Sequence, residues 1–151
     1  MKATLIILSL IFAFSSRHKD LEIETVRKNY SSAASNEMLC EEMIKELQKN
    51  KDENVCLGYL GGFQTVWANH VFNPISKLNT FNEGKKNIEI AIKKDPQNIE
   101  LRFIRLSVQI NAPSFLGYNA QKLEDESFLI QNKKNIESVV LLKMVNELLK
   151  Q

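Results

Sequence analysis

Apolar residues return at three- and four-residue steps along most of this chain, the spacing of one face of an α-helix. Leu21, Ile23, Val26 and Tyr30 predict a short first helix that Asp20 could cap. The Ser-Ser-Ala-Ala-Ser run at 31–35 breaks it. Met38, Leu39, Met43, Ile44 and Leu47 then give a second helix with Glu and Lys on its outer face. The third segment, 55–71, holds Gly58, Gly61 and Gly62 among Leu57, Tyr59, Leu60, Phe63, Val66 and Trp67. A glycine costs about 0.8–1 kcal/mol relative to Ala inside a helix, so something must offset three of them. Gly58, Gly62 and Thr65 share one helical face, which predicts close approach of a neighbouring helix. A phosphate-cradling loop would need a preceding strand and a terminal Gly-Lys-Ser/Thr, and neither is present.

Phe72-Asn73-Pro74 ends that helix and starts the next, with Asn73 as cap and Pro74 in the first turn. Ile75, Leu78, Phe81, Gly84, Ile88, Ala91 and Ile92 carry it to Lys93-Lys94, where positive charge suits a helix C-terminus. At Asp95-Pro96 the missing N–H and fixed φ of proline predict a new helix beginning at Pro96 and capped by Asp95. Its residues Ile99, Leu101, Phe103, Ile104, Leu106, Val108 and Ile110 leave only a narrow polar stripe, Arg102, Arg105 and Gln109. Such a helix must be surrounded by others, which makes 81–118 the expected centre of the fold. The same residues alternate, but twelve residues is long for a strand and both neighbours read as helix.

Beyond Asn111, Pro113 and Gly117 bend the chain while Phe115, Leu116 and Tyr118 are too apolar to leave in water. The loop 112–118 is therefore expected to clamp back on the core, with Phe115 buried. Asn119 should cap a helix carrying Leu123, Phe128 and Ile130, and Asn135 should open a last one carrying Ile136, Val139, Val140, Met144, Val145 and Leu148. The expected fold is all-α, a single-domain antiparallel stack of about six helices over residues 16–151.

Residues 1–15 differ in kind. Lys2 precedes an apolar run from 3 to 14, then Ser15-Ser16 and the charged 17–20. This is the layout of a signal peptide, with Ala13-Phe14-Ser15 as the cleavage site, and it predicts a secreted or periplasmic protein held by no membrane after cleavage. In that compartment Cys40 and Cys56 invite a geometric test. In a hairpin turning near Lys51 they lie about 9 Å apart along the axis, beyond the ~7 Å Cα separation of a bridged pair. Two buried thiols acting as small apolar side chains is the favoured reading. With 20 Lys and Arg against 18 Asp and Glu, interleaved along the chain, nucleic acid is not an expected partner.

Gly84-x3-Ile88-x2-Ala91-x4-Pro96 resembles the second helix and exit of a tetratricopeptide repeat, without a second copy 34 residues on. A longer likeness runs through Trp67-Ala-Asn-His-Val-Phe-Asn-Pro74, Lys77-Leu-x2-Phe81, Gly84, Ile92-x2-Asp95-Pro96, Glu100-x-Arg102-Phe103-x-Arg105, Gln109, Pro113-x-Phe115-Leu116-x-Tyr118 and Asp125. Over these positions, roughly 60 residues, the chain resembles a family of small secreted all-helical proteins of Gram-negative bacteria that has no assigned activity. The resemblance implies fold and export and transfers no catalytic residue.

Three functions are compatible with these residues. The first is a non-catalytic protein-interaction module or scaffold with a protein partner and no cofactor. The second is a small-ligand or anion site on Arg102, Arg105 and Gln109, since guanidinium groups suit carboxylate or phosphate. Against it stands internal pairing of the two arginines with Glu100, Glu124 or Asp125. The third is a hydrolase, but Gly-x-Ser-x-Gly is absent and His70 has no partner in the sequence for a triad or a metal site. Asn29-Tyr30-Ser31 matches the glycosylation acceptor pattern, which matters only in a eukaryotic secretory pathway.

Overall fold

In a computed structural model of the protein, which describes residues 21–151, seven α-helices follow one another: α1 (Ile23–Tyr30), α2 (Glu37–Lys49), α3 (Asn54–Trp67), α4 (Pro74–Lys94), α5 (Ile99–Asn111), α6 (Lys122–Asn132) and α7 (Val139–Leu148). Three single turns of 3-10 helix join them at Ala68–His70, Ser114–Leu116 and Lys133–Asn135. There is no strand among the described residues, so the chain is all-α and residues 99–110 are helical. The expected signal peptide and the Asp20 cap lie outside the described residues.

Two helices are surrounded by others: α5, as its apolar pattern predicted, with α3, α4, α6 and α7 packed on it, and α3, which that pattern did not single out. Every residue from Cys56 to Thr65 is buried, and α1, α2, α4 and α5 all pack on it. Its glycines make this possible, each toward a different neighbour. A Cβ on Gly58 would overlap Leu101 of α5, one on Gly61 would overlap the backbone of Gly84 and Ile88 in α4, and one on Gly62 would overlap the Tyr30 ring of α1. Gly58 and Gly62 therefore serve two helices rather than one face. Along α3, Gly58 lies near Ala91, Gly61 near Gly84 and Ile88, and Thr65 near Gly84, so α3 and α4 form an antiparallel hairpin. Around Gly62 the Tyr30 ring meets Tyr59 and Phe63 edge-on, with centroids 5.4 and 5.2 Å away. Its hydroxyl shares a 3.0 Å hydrogen bond with Ser107 of α5.

The junctions show local chemistry. Asn73 Oδ1 accepts from the Ile75 and Ser76 amides at 3.0 Å each, and Pro74 opens α4 as expected. Asp95 does not cap α5. It closes a turn with Asn98, whose N–H donates to its carbonyl, and Asn98 Oδ1 then takes the Glu100 and Leu101 amides. Pro96 sits in that turn, where its fixed φ serves equally well, so α5 starts three residues later than its proline suggests. Asn119 likewise closes a turn with Lys122 ahead of α6 instead of capping it. Ser138, rather than Asn135, caps α7 by accepting from the Leu141 amide.

The loop after α5 turns back on the core, but by a different ring from the one expected. Gly117 adopts φ 63°, the left-handed region that favours glycine. Beyond it Tyr118 is only 4% exposed, its ring edge-on to Phe81 and its hydroxyl donating to Glu89 Oε1 at 2.6 Å. Phe115 sits on the outer side of the 3-10 turn, 84% exposed. The burial expected of Phe115 is thus wrong, because three residues of a 3-10 turn and the glycine after it send one aromatic out and the other in. Phe115→Ala should change stability by less than about 1 kcal/mol, the surface range, and urea denaturation checks this.

Candidate functional site

Two buried charge networks connect the helices, and the first contains the residues singled out from the sequence. Arg102, Arg105 and Gln109 are all buried on the side of α5 that faces α6. Asp125 of α6 is fully buried between the two guanidinium groups. It accepts from Arg102 Nη1 at 2.8 Å and from Arg105 Nε and Nη2 at 2.6 and 2.7 Å. Arg102 Nη1 also donates to Glu124, its Nε to the Pro96 carbonyl, and Arg105 Nη1 to Glu89 at 3.2 Å. Burial pulls the Arg105 guanidinium toward its neutral form, but the hydrogen bonds and charge of Asp125 outweigh this and hold it firmly protonated. Arg102 in turn holds the Glu124 carboxyl below the usual range.

Two guanidinium groups here face three carboxylates, which leaves no positive surplus for an anion. The arrangement does what internal pairing would do, fastening α6 to α5. Gln109 stands a turn away, its Nε2 at 3.5 Å from Gln121 Oε1, and its own Oε1 is buried with no partner among the described residues.

The second network had no local spacing to announce it. Glu100, in the first turn of α5, is buried and accepts from Tyr59 of α3 at 2.7 Å and from Arg27 of α1 through Nε and Nη2 at 2.7 and 2.6 Å. The two-pronged geometry is the strong form of an Arg–carboxylate pair, and it holds the Arg27 guanidinium protonated. Burial, then the charge of Glu100, pushes the Tyr59 hydroxyl well above its ordinary pKa. Arg27 Nη1 goes to Glu24, whose carboxyl is lowered chiefly by the nearby Ser138 hydroxyl of α7 and then by Arg27. Glu24 Oε2 is nevertheless buried without a hydrogen bond of ordinary geometry. Beside this network runs an open groove of about 680 Å³ between the start of α1, the corner from Asp95 to Glu100, and residues 135–141.

The remaining reactive groups are structurally engaged. Cys40 and Cys56 are free thiols, both buried, and burial pushes Cys40 up to about 12. Cys40 Sγ donates to the Phe63 carbonyl. His70 Nε2 lies 3.1 Å from the Ala33 carbonyl with its ring against Trp67. Asn29 of the acceptor pattern lies within α1, its amide against Met43. Among the described residues no three His, Cys, Asp or Glu side chains are grouped to hold a metal ion, and no helix is long and apolar enough to cross a membrane. Large apolar side chains do face solvent at the start of α4, where Phe72 is wholly exposed and Ile75 and Leu78 are 73% and 46% exposed. No protein-family model, curated protein or solved structure matches the chain.

Proposed function

We propose that this protein is an exported, non-catalytic protein-interaction module, a helical stack that offers one apolar end to a protein partner. The observation that carries the reading is the start of α4. Residues 72–79 are exposed on every side, so this helix end projects from the body, and three of its residues are large and apolar. Single exposed apolar residues are ordinary on a protein surface; Phe72, Ile75 and Leu78 within seven residues of one another form a patch of the kind that marks an interface. Lys77 is the one charged residue between 72 and 82, so little charge has to be desolvated when the patch is covered. Export rests on the apolar run and small residues at 3–16.

The alternative, an anion site on Arg102, Arg105 and Gln109, is less well supported, because the arginines already meet Asp125, Glu124 and Glu89. The double variant Phe72→Ser with Ile75→Ser tests the main reading. It should keep the circular dichroism and unfolding midpoint of the parent, since neither residue is buried, yet lose the partner that cross-linking in the native compartment attaches to the parent. Identical cross-linked products from parent and variant would exclude this end of α4 as the interface.

A further inference from the structure

The exposed start of α4 has a counterpart on the same molecule. The first turns of α2 carry an open groove of about 390 Å³ lined by Asn36, Met38, Leu39, Glu41, Glu42 and Lys45. Met38 is 80% exposed there, as bare an apolar side chain as Ile75. The two surfaces differ in charge. Residues 54–82 include no Asp or Glu and a single lysine, Lys77, whereas residues 37–46 include four glutamates and a single lysine, Lys45. Lys45 is taken by Glu41 at 2.9 Å, and Glu42 has no ion-pair partner among the described residues. Both surfaces stand at one end of the stack. Cys40 Sγ reaches the Phe63 carbonyl, His70 the Ala33 carbonyl, and Gly61 and Thr65 lie against Gly84, so α2 and α4 both start where α3 ends. Within one molecule neither surface covers the other, since Phe72 and Met38 both remain in solvent.

Taking the start of α4 as the interface, we propose that its partner is a second copy of this chain. In the dimer the tip formed by Phe72, Ile75 and Leu78 of each protomer enters the α2 groove of the other, with Lys77 against Glu42. Met38 suits the floor of such a contact, because its flexible thioether adapts to the ring it meets. The area favours a symmetric pair. The exposed parts of the three tip residues come to on the order of 400 Å², so one tip in one groove buries about 800 Å² over both surfaces, the size of an incidental contact. Because groove and tip share one end of the stack, a two-fold axis makes both contacts at once and doubles this to about 1,600 Å², the size of a standard stable interface. Tip against tip would bury only about 800 Å² and offer Lys77 no acid from either segment.

Sedimentation equilibrium of the exported protein, run from micromolar to millimolar concentration, reads the dimer directly. The expected result is a reversible monomer–dimer equilibrium. Phe72→Ser with Ile75→Ser should raise its dissociation constant about tenfold, and Met38→Ser should raise it in the same direction. All three residues are exposed, so the circular dichroism of the variants should match that of the parent. Lys77→Glu and Glu42→Lys should each weaken the dimer about fivefold, and the two together in one chain should restore it. A monomer at every concentration would overturn the second copy as partner. So would a dimer that ignores the tip or the groove substitutions, or a double charge exchange no better than either single one. Cross-linking in the native compartment separates this failure from that of the α4 reading. A cross-linked product that needs Phe72 and Ile75 but is not twice the chain mass keeps the interface and excludes the second copy. A product indifferent to both residues excludes the interface itself.

Discussion

Asp125→Asn should cost the folded protein about 3–5 kcal/mol, read as a fall in the urea midpoint with little change in slope. Asp125 is wholly buried and takes three hydrogen bonds from two guanidinium groups that are themselves 10% and 5% exposed. Asparagine keeps the shape and removes the charge, so Arg102 and Arg105 lose the group that compensates their burial, and a donor amide now faces donors. Breaking a buried pair in this way costs far more than the pair contributes over an apolar substitute. Glu124→Gln is the internal comparison. It touches the same Arg102, but Glu124 is 63% exposed, and water and salt screen the interaction to less than about 1 kcal/mol. Equal, small effects from both variants would mean that Asp125 does not anchor α6.

The second large effect is expected at Gly84. Exchange of glycine for alanine inside a helix ordinarily gains about 1 kcal/mol from propensity. Here the sign should reverse, with a net loss of about 2–3 kcal/mol. A Cβ on Gly84 meets the Gly61 carbonyl and the Thr65 amide of α3, both backbone, and one on Gly61 meets Gly84 and Ile88 in return. Backbone in a helix cannot step aside, so α3 and α4 would have to separate along the hairpin. Gly58→Ala is the milder contrast, since its nearest obstacle is the end of the Leu101 side chain, which can change rotamer. Chemical denaturation of the two variants should rank Gly84→Ala well below Gly58→Ala.

Most of the fold could be read from the sequence because its helices carry their own punctuation. Asn73-Pro74 started α4, Lys93-Lys94 ended it, and the period of residues 99–110 outweighed their alternation. The errors arose where one residue type has two uses. Pro96 suits a turn as well as a first helical turn, and Asn119 and Asn135 sit in turns as readily as at caps. α3 was legible as a helix that one neighbour approaches closely, but not as one on which four others pack. Glycines at 58, 61 and 62 admit α5, α4 and α1 respectively, and which helix meets which glycine is decided by the tertiary packing.

For the site, Arg102 and Arg105 were visible as a polar stripe three residues apart on an apolar helix, and Glu124 and Asp125 were named among their possible partners. Arg27 and Glu100 are 73 residues apart and share no element, so only the packing of α1 on the start of α5 could reveal them. Phe115 and Tyr118 are chemically alike in a short loop; which one turns inward depends on Gly117 and on Glu89, a hydrogen-bond acceptor on another helix.

The contact of α1 with α7 has a further consequence. A helical solenoid ends in two open faces, so units can be added to it and its ends can fray independently of its middle. Here the first described helix lies on the last, and Arg27 bonds Glu100 of α5 while the Glu24 carboxylate lies by Ser138 of α7. Among the described residues the first helix is thereby tied to the last, which a solenoid would keep apart. Fraying of α1 therefore also uncovers α7, and the two ends of the described chain are expected to lose structure together rather than independently.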